Sequence, residues 1–289
     1  MILEENGNVI IKNAEDFSLE KTVECGQFFH YEKFNSGKYG IVYRDRLLLC
    51  REDKENSKII LYNQSIEDYE TIWRNFFDLN RDCKEINDYL LTHDDKMEEI
   101  LRVSRGIRLI NGDFTETLMS FIISQNKQIS HIKKIVKDIS EAYGKYLGET
   151  DGVRFYSFPD KEVLFNISEE EYRELKTGFR APYLRDAALK LNGELEEKKL
   201  KSEGYDAALN DLMKIKGVGA KVANCVLLYS LNYKQAFPVD VWIKRIVEKI
   251  YFGKSVENKD IYRFAKERFG NYGGYAQQYL FYYARNIKD

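Results

Sequence analysis

The 289-residue sequence predicts an α+β protein in which a small antiparallel β domain is followed by a larger all-α region of two packed helical lobes. Two observations predict this. Apolar and polar residues alternate with period two in the first sixty or so positions, whereas from Ser65 onward apolar residues recur at helical spacing. Charge divides at a similar place: residues 1–100 carry 13 Lys+Arg against 22 Asp+Glu, a balance of −9, and residues 101–289 carry 32 against 25, a balance of +7. Such asymmetry points to an anionic partner for the second part only. The β domain with its flanking helices is assigned to residues 1–104 and the helical region to 105–289.

In chain order, FFHYEKF, the turn NSGK, YGIVYRDRLLLC and KIILYN read as an antiparallel hairpin or meander. IEDYETIWRNFF then has an apolar face at helical spacing. Asp113 follows Asn111-Gly112 and has Glu116 three residues later, a capping-box arrangement before LMSFII. Ser168 with Glu171 opens another helix, which Gly178 is expected to close. LRDAALKLNG, YDAALNDLMKIKG, AKVANCVLLYSL, VWIKRIVEKIYFG, DIYRFAKERFG and YAQQYLFYYARN complete the helical series. The composition, 44% hydrophobic and 14% aromatic, is that of a folded chain.

Several functional classes are disfavoured at once. No segment approaches the roughly 20 apolar residues of a membrane span, and MILEENGNVI lacks the layout of a secretory signal, so a cytoplasmic location is expected. Cys25, Cys50, Cys83 and Cys225 are scattered, with no CxxC pair and no cluster near His30, His93 or His131. Free thiols are the expectation, with no side-chain metal site.

The stretch GVGAKVANC, residues 217–225, reads as a helix, a two-glycine turn and a second helix starting at about Ala220, the whole hairpin spanning about 206–231. Free N–H groups at a helix start, with those of the turn, suit a phosphate oxygen. With no side chain at Gly217 and Gly219, a nucleic-acid backbone could lie on the peptide, positioned without being read. A glycine pair at a helix junction is more often a tight connection, and without a preceding strand this is no dinucleotide fingerprint. What changes the balance is Asp240 in FPVDVWIKR, directly before an amphipathic helix. Alone it is an N-cap, and alone Lys221 is a cation in an unfavourable first-turn position; together they form a candidate catalytic pair.

KGVGAKVANC followed by FPVDVW resembles the helix-hairpin-helix plus Gly/Pro-Asp signature of DNA base-excision glycosylases, and specifically the 8-oxoguanine DNA glycosylase branch. VECGQFFHY (23–31), RGIRLINGDFTETLMSFIISQNKQISHI (105–132), TGFRAPYL (177–184) and YAQQYLF (275–281) are similar to further segments of that branch, in order. The resemblance implies a bifunctional enzyme acting as a monomer on double-stranded DNA containing 8-oxoguanine. Lys221 would displace the base, form a Schiff base with the opened sugar and permit β-elimination, while Asp240 stabilises the developing oxocarbenium charge. A lysine of ordinary pKa, about 10.4, must be lowered by ~3 units to supply free amine at neutral pH, roughly 4 kcal/mol. The helix N-terminus provides only about 0.3 to 1 kcal/mol of that. Desolvation must supply most of the rest, and a close ionised Asp240 opposes it.

The resemblance further assigns the Gly26 carbonyl to the lesion's N7–H, Gln277 to its pairing edge, Phe281 to stacking on it, and Cys225 and Pro238 to the pocket wall. Asn126 would fill the gap left by the extruded nucleotide, with Arg180 facing the orphaned cytosine. His131 stands where the family has a second arginine, and Phe179 where it has a wedge tyrosine. The loss of a bidentate donor implies relaxed opposite-base preference. Gly217, Gly219, Val222 and Trp242 fall at phosphate-contacting positions, Trp242 where a histidine is usual. No cofactor is required, but main-chain carbonyls at Met213, Ile215 and Val218 match a monovalent or calcium ion site. A glycosylase for another damaged base and a non-catalytic DNA-binding module are the competing readings. Branches resembling endonuclease III carry a four-cysteine cluster after the last helix, whereas this chain has no cysteine beyond Cys225.

Overall fold

A computed structural model describes residues 1–286. Six antiparallel strands form one sheet in the order β1-β2-β6-β5-β4-β3: β1 Ile2–Glu5, β2 Asn8–Lys12, β3 Tyr31–Lys33, β4 Lys38–Tyr43, β5 Arg46–Asp53 and β6 Lys58–Tyr62. The meander β3 to β6 follows the sequence pattern, although only three residues of FFHYEKF pair. The first hairpin, β1-β2, was not anticipated. It turns on Asn6-Gly7, both at positive φ (51° and 71°), the dipeptide that a twist-compatible two-residue turn favours. β2 then pairs with β6, Val9 opposite Leu61 and Ile11 opposite Ile59.

Period-two alternation puts Val9, Ile11, Ile41, Leu48, Cys50, Ile59 and Leu61 in one core with Trp73, Phe76 and Phe77. An unanticipated hairpin from the helical half docks on this domain: β7 (Tyr146–Thr150) and β8 (Val153–Tyr156). Phe155 presses so closely on β4 that a Cβ at Gly40 would lie 2.5 Å from its ring. The helices Cys83–His93 and Met97–Ser104 bury Ile86, Leu90, Met97 and Ile100 in the second core, that of the helical region. That core is built around the apolar helix Phe114–Ile123, whose residues from Phe114 to Ile123 are buried except Thr115.

Local signals behave unevenly. Ser168 and Glu171 form the reciprocal capping box. Asp113 accepts from the Glu116 N–H at 3.1 Å, but Glu116 does not reach back. Its buried carboxylate instead meets His30 Nδ1 at 2.9 Å, linking the sheet domain to this helix. Burial pushes the Glu116 pKa up and His30 opposes that shift. The helix expected to close at Gly178 runs Glu169–Glu174; Lys176 (φ 60°) and Gly178 (φ 64°) together reverse the chain. All four cysteines are free and buried. Desolvation raises Cys25 to about 12 and Cys83 to about 11.

The two halves are joined by a buried amide. Gln27 Nε2 donates to Thr22 O (2.8 Å) and Arg108 O (2.7 Å), and its Oε1 accepts from Ile110 N (2.9 Å). A second polar junction surrounds Asp78, which receives Arg81 Nε at 3.1 Å and the Tyr275 hydroxyl. Lys234 lies 3.8 Å from Asp78 and donates to Asn111 Oδ1 at 2.7 Å.

Gln27→Leu removes three hydrogen bonds to the main chain, and one to Cys25 Sγ, while leaving Thr22 O, Arg108 O and Ile110 N buried. It is expected to destabilise the protein by about 2 to 4 kcal/mol in a denaturant titration. Burial lowers Lys234 to about 8, so between about 8 and its unfolded value near 10.5 the folded state binds fewer protons than the unfolded one. Stability therefore rises with pH across that window. The melting temperature of the native protein should rise relative to that of Lys234→Met between pH 7.5 and 10; parallel curves would contradict this.

Candidate active site

The hairpin consists of Tyr205–Met213 and Ala220–Tyr229, tied by Tyr205 Oη to Asn224 Oδ1 at 2.7 Å. Its two glycines differ in role. Gly217 has φ 78°, and a Cβ there would lie 2.3 Å from the Tyr183 ring, so the turn and its packing both require glycine. Gly219 is extended (φ −96°, ψ 179°) and caps the second helix without a side chain. A Cβ at Gly219 would meet nothing within 4 Å. Open space over first-turn amides is what an approaching phosphate needs. Val222 is 4% exposed, so only its main chain is available to such a ligand.

Lys221 is half-buried, its ammonium 5.2 Å from the Phe121 ring centroid. One turn on, desolvation raises the Cys225 thiol to about 11, while neighbouring Lys221 pulls it down. Asp240 caps the helix Val241–Val247, its Oδ1 accepting from Trp242 N (3.0 Å) and Ile243 N (2.8 Å). Among the described residues, Oδ2 accepts no hydrogen bond and no carboxylate lies within 4.0 Å of the Lys221 nitrogen. The aspartate is thus fixed by the helix it caps, not by the lysine.

Lys221, Asp240, Gly26, Cys225, Pro238, Gln277 and Phe281 line one cavity of about 50 Å³. That volume admits a few waters. Gly26 has φ 83°, and a Cβ there would come within 3.7 Å of Phe281 Cε1 and 3.3 Å of Ile129 Cδ1. Three lining residues, Phe121, Tyr229 and Gln278, were missed by the sequence reading. The first two sit among apolar neighbours at helical spacing and read as core; Gln278 was legible only as the neighbour of Gln277.

The residues assigned to DNA differ in exposure. Asn126 is exposed with φ 52° between Phe114–Ile123 and Ile129–Tyr143, and His131 is exposed in the first turn of the latter helix. Phe179 is 51% exposed and lies 6.2 Å, centroid to centroid, from Tyr183, the ring that abuts Gly217. Arg180 is placed differently from a ready DNA contact. It is 3% exposed, stacks 4.2 Å from the Phe179 centroid and donates to Thr177 O and Gln125 O. Its Nε has no partner among the described residues, and its pKa is lowered by burial. The guanidinium thereby ties the Phe179 turn to the Asn126 loop. Trp242 is 42% exposed at the mouth of the Asp240 helix, with Arg245 5.7 Å from its ring. Met213, Ile215 and Val218 follow one another around the hairpin turn, where Ile215 O already accepts from Val218 N at 3.0 Å. No cluster of three acidic, histidine or cysteine side chains suited to a metal occurs among the described residues.

Comparisons with known proteins agree on one kinship. Residues 9–118 match the family described as 8-oxoguanine DNA glycosylase, N-terminal domain. Residues 119–270 match the HhH-GPD superfamily base excision DNA repair protein family. A probable N-glycosylase/DNA lyase of Methanothermobacter thermautotrophicus is 32% identical over 229 residues, covering 72% of each chain. The N-glycosylase/DNA lyase of Saccharomyces cerevisiae is 31% identical over 264 residues, 83% of this chain and 69% of that one. The structure of a Clostridium acetobutylicum 8-oxoguanine glycosylase/lyase, in complex with duplex DNA containing cytosine opposite 8-oxoguanine, superimposes with a TM-score of 0.93. It is 38% identical and covers 99% of both chains. With its second family match spanning more than half its length, and its first covering the sheet domain, the chain belongs to the HhH-GPD superfamily of base-excision DNA repair proteins, in the branch with the 8-oxoguanine DNA glycosylase N-terminal domain.

Proposed function

We propose that the protein removes 8-oxoguanine from duplex DNA with Lys221 as nucleophile and cleaves the resulting abasic strand by β-elimination. The observation that carries this reading is one cavity lined by a lysine, an aspartate fixed as a helix cap, a left-handed glycine and an amide-aromatic pair one turn apart. The Lys221 amine bonds to the anomeric carbon as the bond to the base breaks, and the base leaves with a proton. Ring opening then gives an imine between Lys221 and the sugar, from which the 3′ phosphate is eliminated. Asp240 stabilises the positive charge on the sugar, its Oδ1 held by two helix amides.

In this reading Gly26 O accepts from the lesion's N7–H, an interaction normal guanine cannot make. Gln277 pairs with the base's other edge, Phe281 stacks, and Cys225 and Pro238 form the wall. Asn126 enters the vacated gap. Arg180 turns from its carbonyl acceptors toward the orphaned base, while His131 and Phe179 offer that base one donor at most between them. Relaxed opposite-base preference follows. Gly217, Gly219, Val222 and Trp242 seat the phosphate backbone, and Met213, Ile215 and Val218 carbonyls hold a monovalent or calcium ion that stiffens the turn. The protein acts as a monomer, in the cytoplasm of a prokaryotic cell at its DNA.

Borohydride trapping on a duplex with one 8-oxoguanine should give a covalent adduct that is absent in Lys221→Gln, with yields differing less than about tenfold among the four opposite bases. An adduct that persists in the variant, or DNA binding with neither adduct nor strand break, would remove the lysine mechanism. The glycines separate folding from binding. Gly217→Ala should fail to fold stably against Tyr183, while Gly219→Ala should keep its stability within about 1 kcal/mol yet weaken duplex binding in a fluorescence titration.

A further inference from the structure

Behind the cavity lies a chain of hydrogen bonds that begins at a group unable to donate. The Cys25 carbonyl, adjacent to Gly26, accepts from Gln278 at 3.3 Å. A carbonyl has no proton, so the Gln278 atom facing it must be Nε2, and Gln278 Oε1 is the atom facing Tyr229 Oη at 2.5 Å. Tyr229 therefore spends its single proton on Gln278. The same hydroxyl lies 3.4 Å from the Gln277 amide, at the atom placed as Oε1; with its one proton given to Gln278, that contact pairs two acceptors, which a half-turn of the Gln277 amide relieves by letting Nε2 donate to the phenol. In the turned form Nε2 faces Tyr229 and the amide oxygen turns to the cavity. Gln277 is 4% exposed, and Tyr229 is its only recorded side-chain partner among the described residues. The phenol cannot reverse this polarity by ionising, since burial holds its pKa well above the ordinary value. Stacking on Phe121, at 5.5 Å between centroids, keeps the ring in place.

We propose that Tyr229 and Gln278 are positioning residues that set the polarity of the Gln277 amide, so that the pocket presents an acceptor and favours bases with a donor at N1 of the pairing edge. The inference rests on the reading of Gln277 as the residue that meets that edge. It separates two lesions that Gly26 would treat alike. 8-Oxoguanine and 8-oxoadenine share the N7–H, but guanine offers N1–H beside its 2-amino group, whereas adenine has a bare N1 acceptor and carries its one pairing-edge donor, the 6-amino group, where guanine has O6. A fixed Gln277 oxygen attracts the first and repels the second.

The test compares the two lesions in otherwise identical duplexes with the full chain, measuring kcat/KM for base release, together with strand cleavage at a preformed abasic site. Native protein should prefer 8-oxoguanine strongly. Tyr229→Phe frees the Gln277 amide to rotate, so the preference should fall at least about tenfold, chiefly by a gain on 8-oxoadenine, while cleavage at the abasic site stays near native. Gln278→Met lets Tyr229 donate to Gln277 instead, and should produce the same fall should the phenylalanine variant not fold. An unchanged preference in a folded variant with native abasic cleavage would overturn the inference, as would a native protein that does not distinguish the lesions. Failure of the native protein to release either base, with DNA bound, would overturn the glycosylase reading itself and this inference with it.

Discussion

The geometry of the cavity depends on the side-chain amide of Gln27. Gly26 can present its carbonyl at a fixed point only if the turn on which it sits is fixed, and a left-handed turn at a domain boundary has few ways of being so. Gln27 is 2% exposed and joins the Thr22 carbonyl to the segment carrying Arg108 and Ile110. Arg108 N returns a bond to Thr22 Oγ1 at 3.0 Å. Because Gln27 satisfies three main-chain groups that the boundary would otherwise bury unpaired, its loss is costly out of proportion to its size. His30 and Glu116 repeat the junction three residues further on. The sheet domain is in effect the mount for one peptide unit of the site, and the helical region supplies the rest.

What the sequence made legible follows from how local the signals were. The hairpin, the aspartate cap and the Ser168 capping box each depend on a few neighbouring residues, and each formed. The Asp113 box formed by half, because the second partner of Glu116 comes from residue 30, a contact local spacing cannot announce. β1-β2 carried an audible Asn-Gly signal that the reading passed over, whereas β7-β8 is fixed by tertiary contact, Phe155 against Gly40, and has little pattern of its own. In the site, the residues named from resemblance to the family line one cavity, but Tyr229 and Phe121 were indistinguishable from core aromatics. Their place is decided by which helix faces which, and that information lies in the packing of Ala220–Tyr229 against Phe114–Ile123 and the C-terminal helix Gly273–Asn286.

Arg180 illustrates a different limit. Its side chain could be assigned a partner from the chain's kinship but not a position, and in the described structure it is enclosed between Phe179 and the Gln125 carbonyl. Its bonds to Thr177 O and Gln125 O join the Phe179 turn to the Asn126 loop.

The four buried thiols bear on the circumstances in which such an enzyme works. Guanine is oxidised when oxidants are abundant, and the repair protein shares the cell with them. An oxidant attacks the thiolate and needs access to it, yet every cysteine here is withdrawn from solvent and held by its surroundings in the protonated form, Cys225 beside Lys221 included. Burial of these sulfurs leaves such oxidants no exposed thiolate to attack among the described residues.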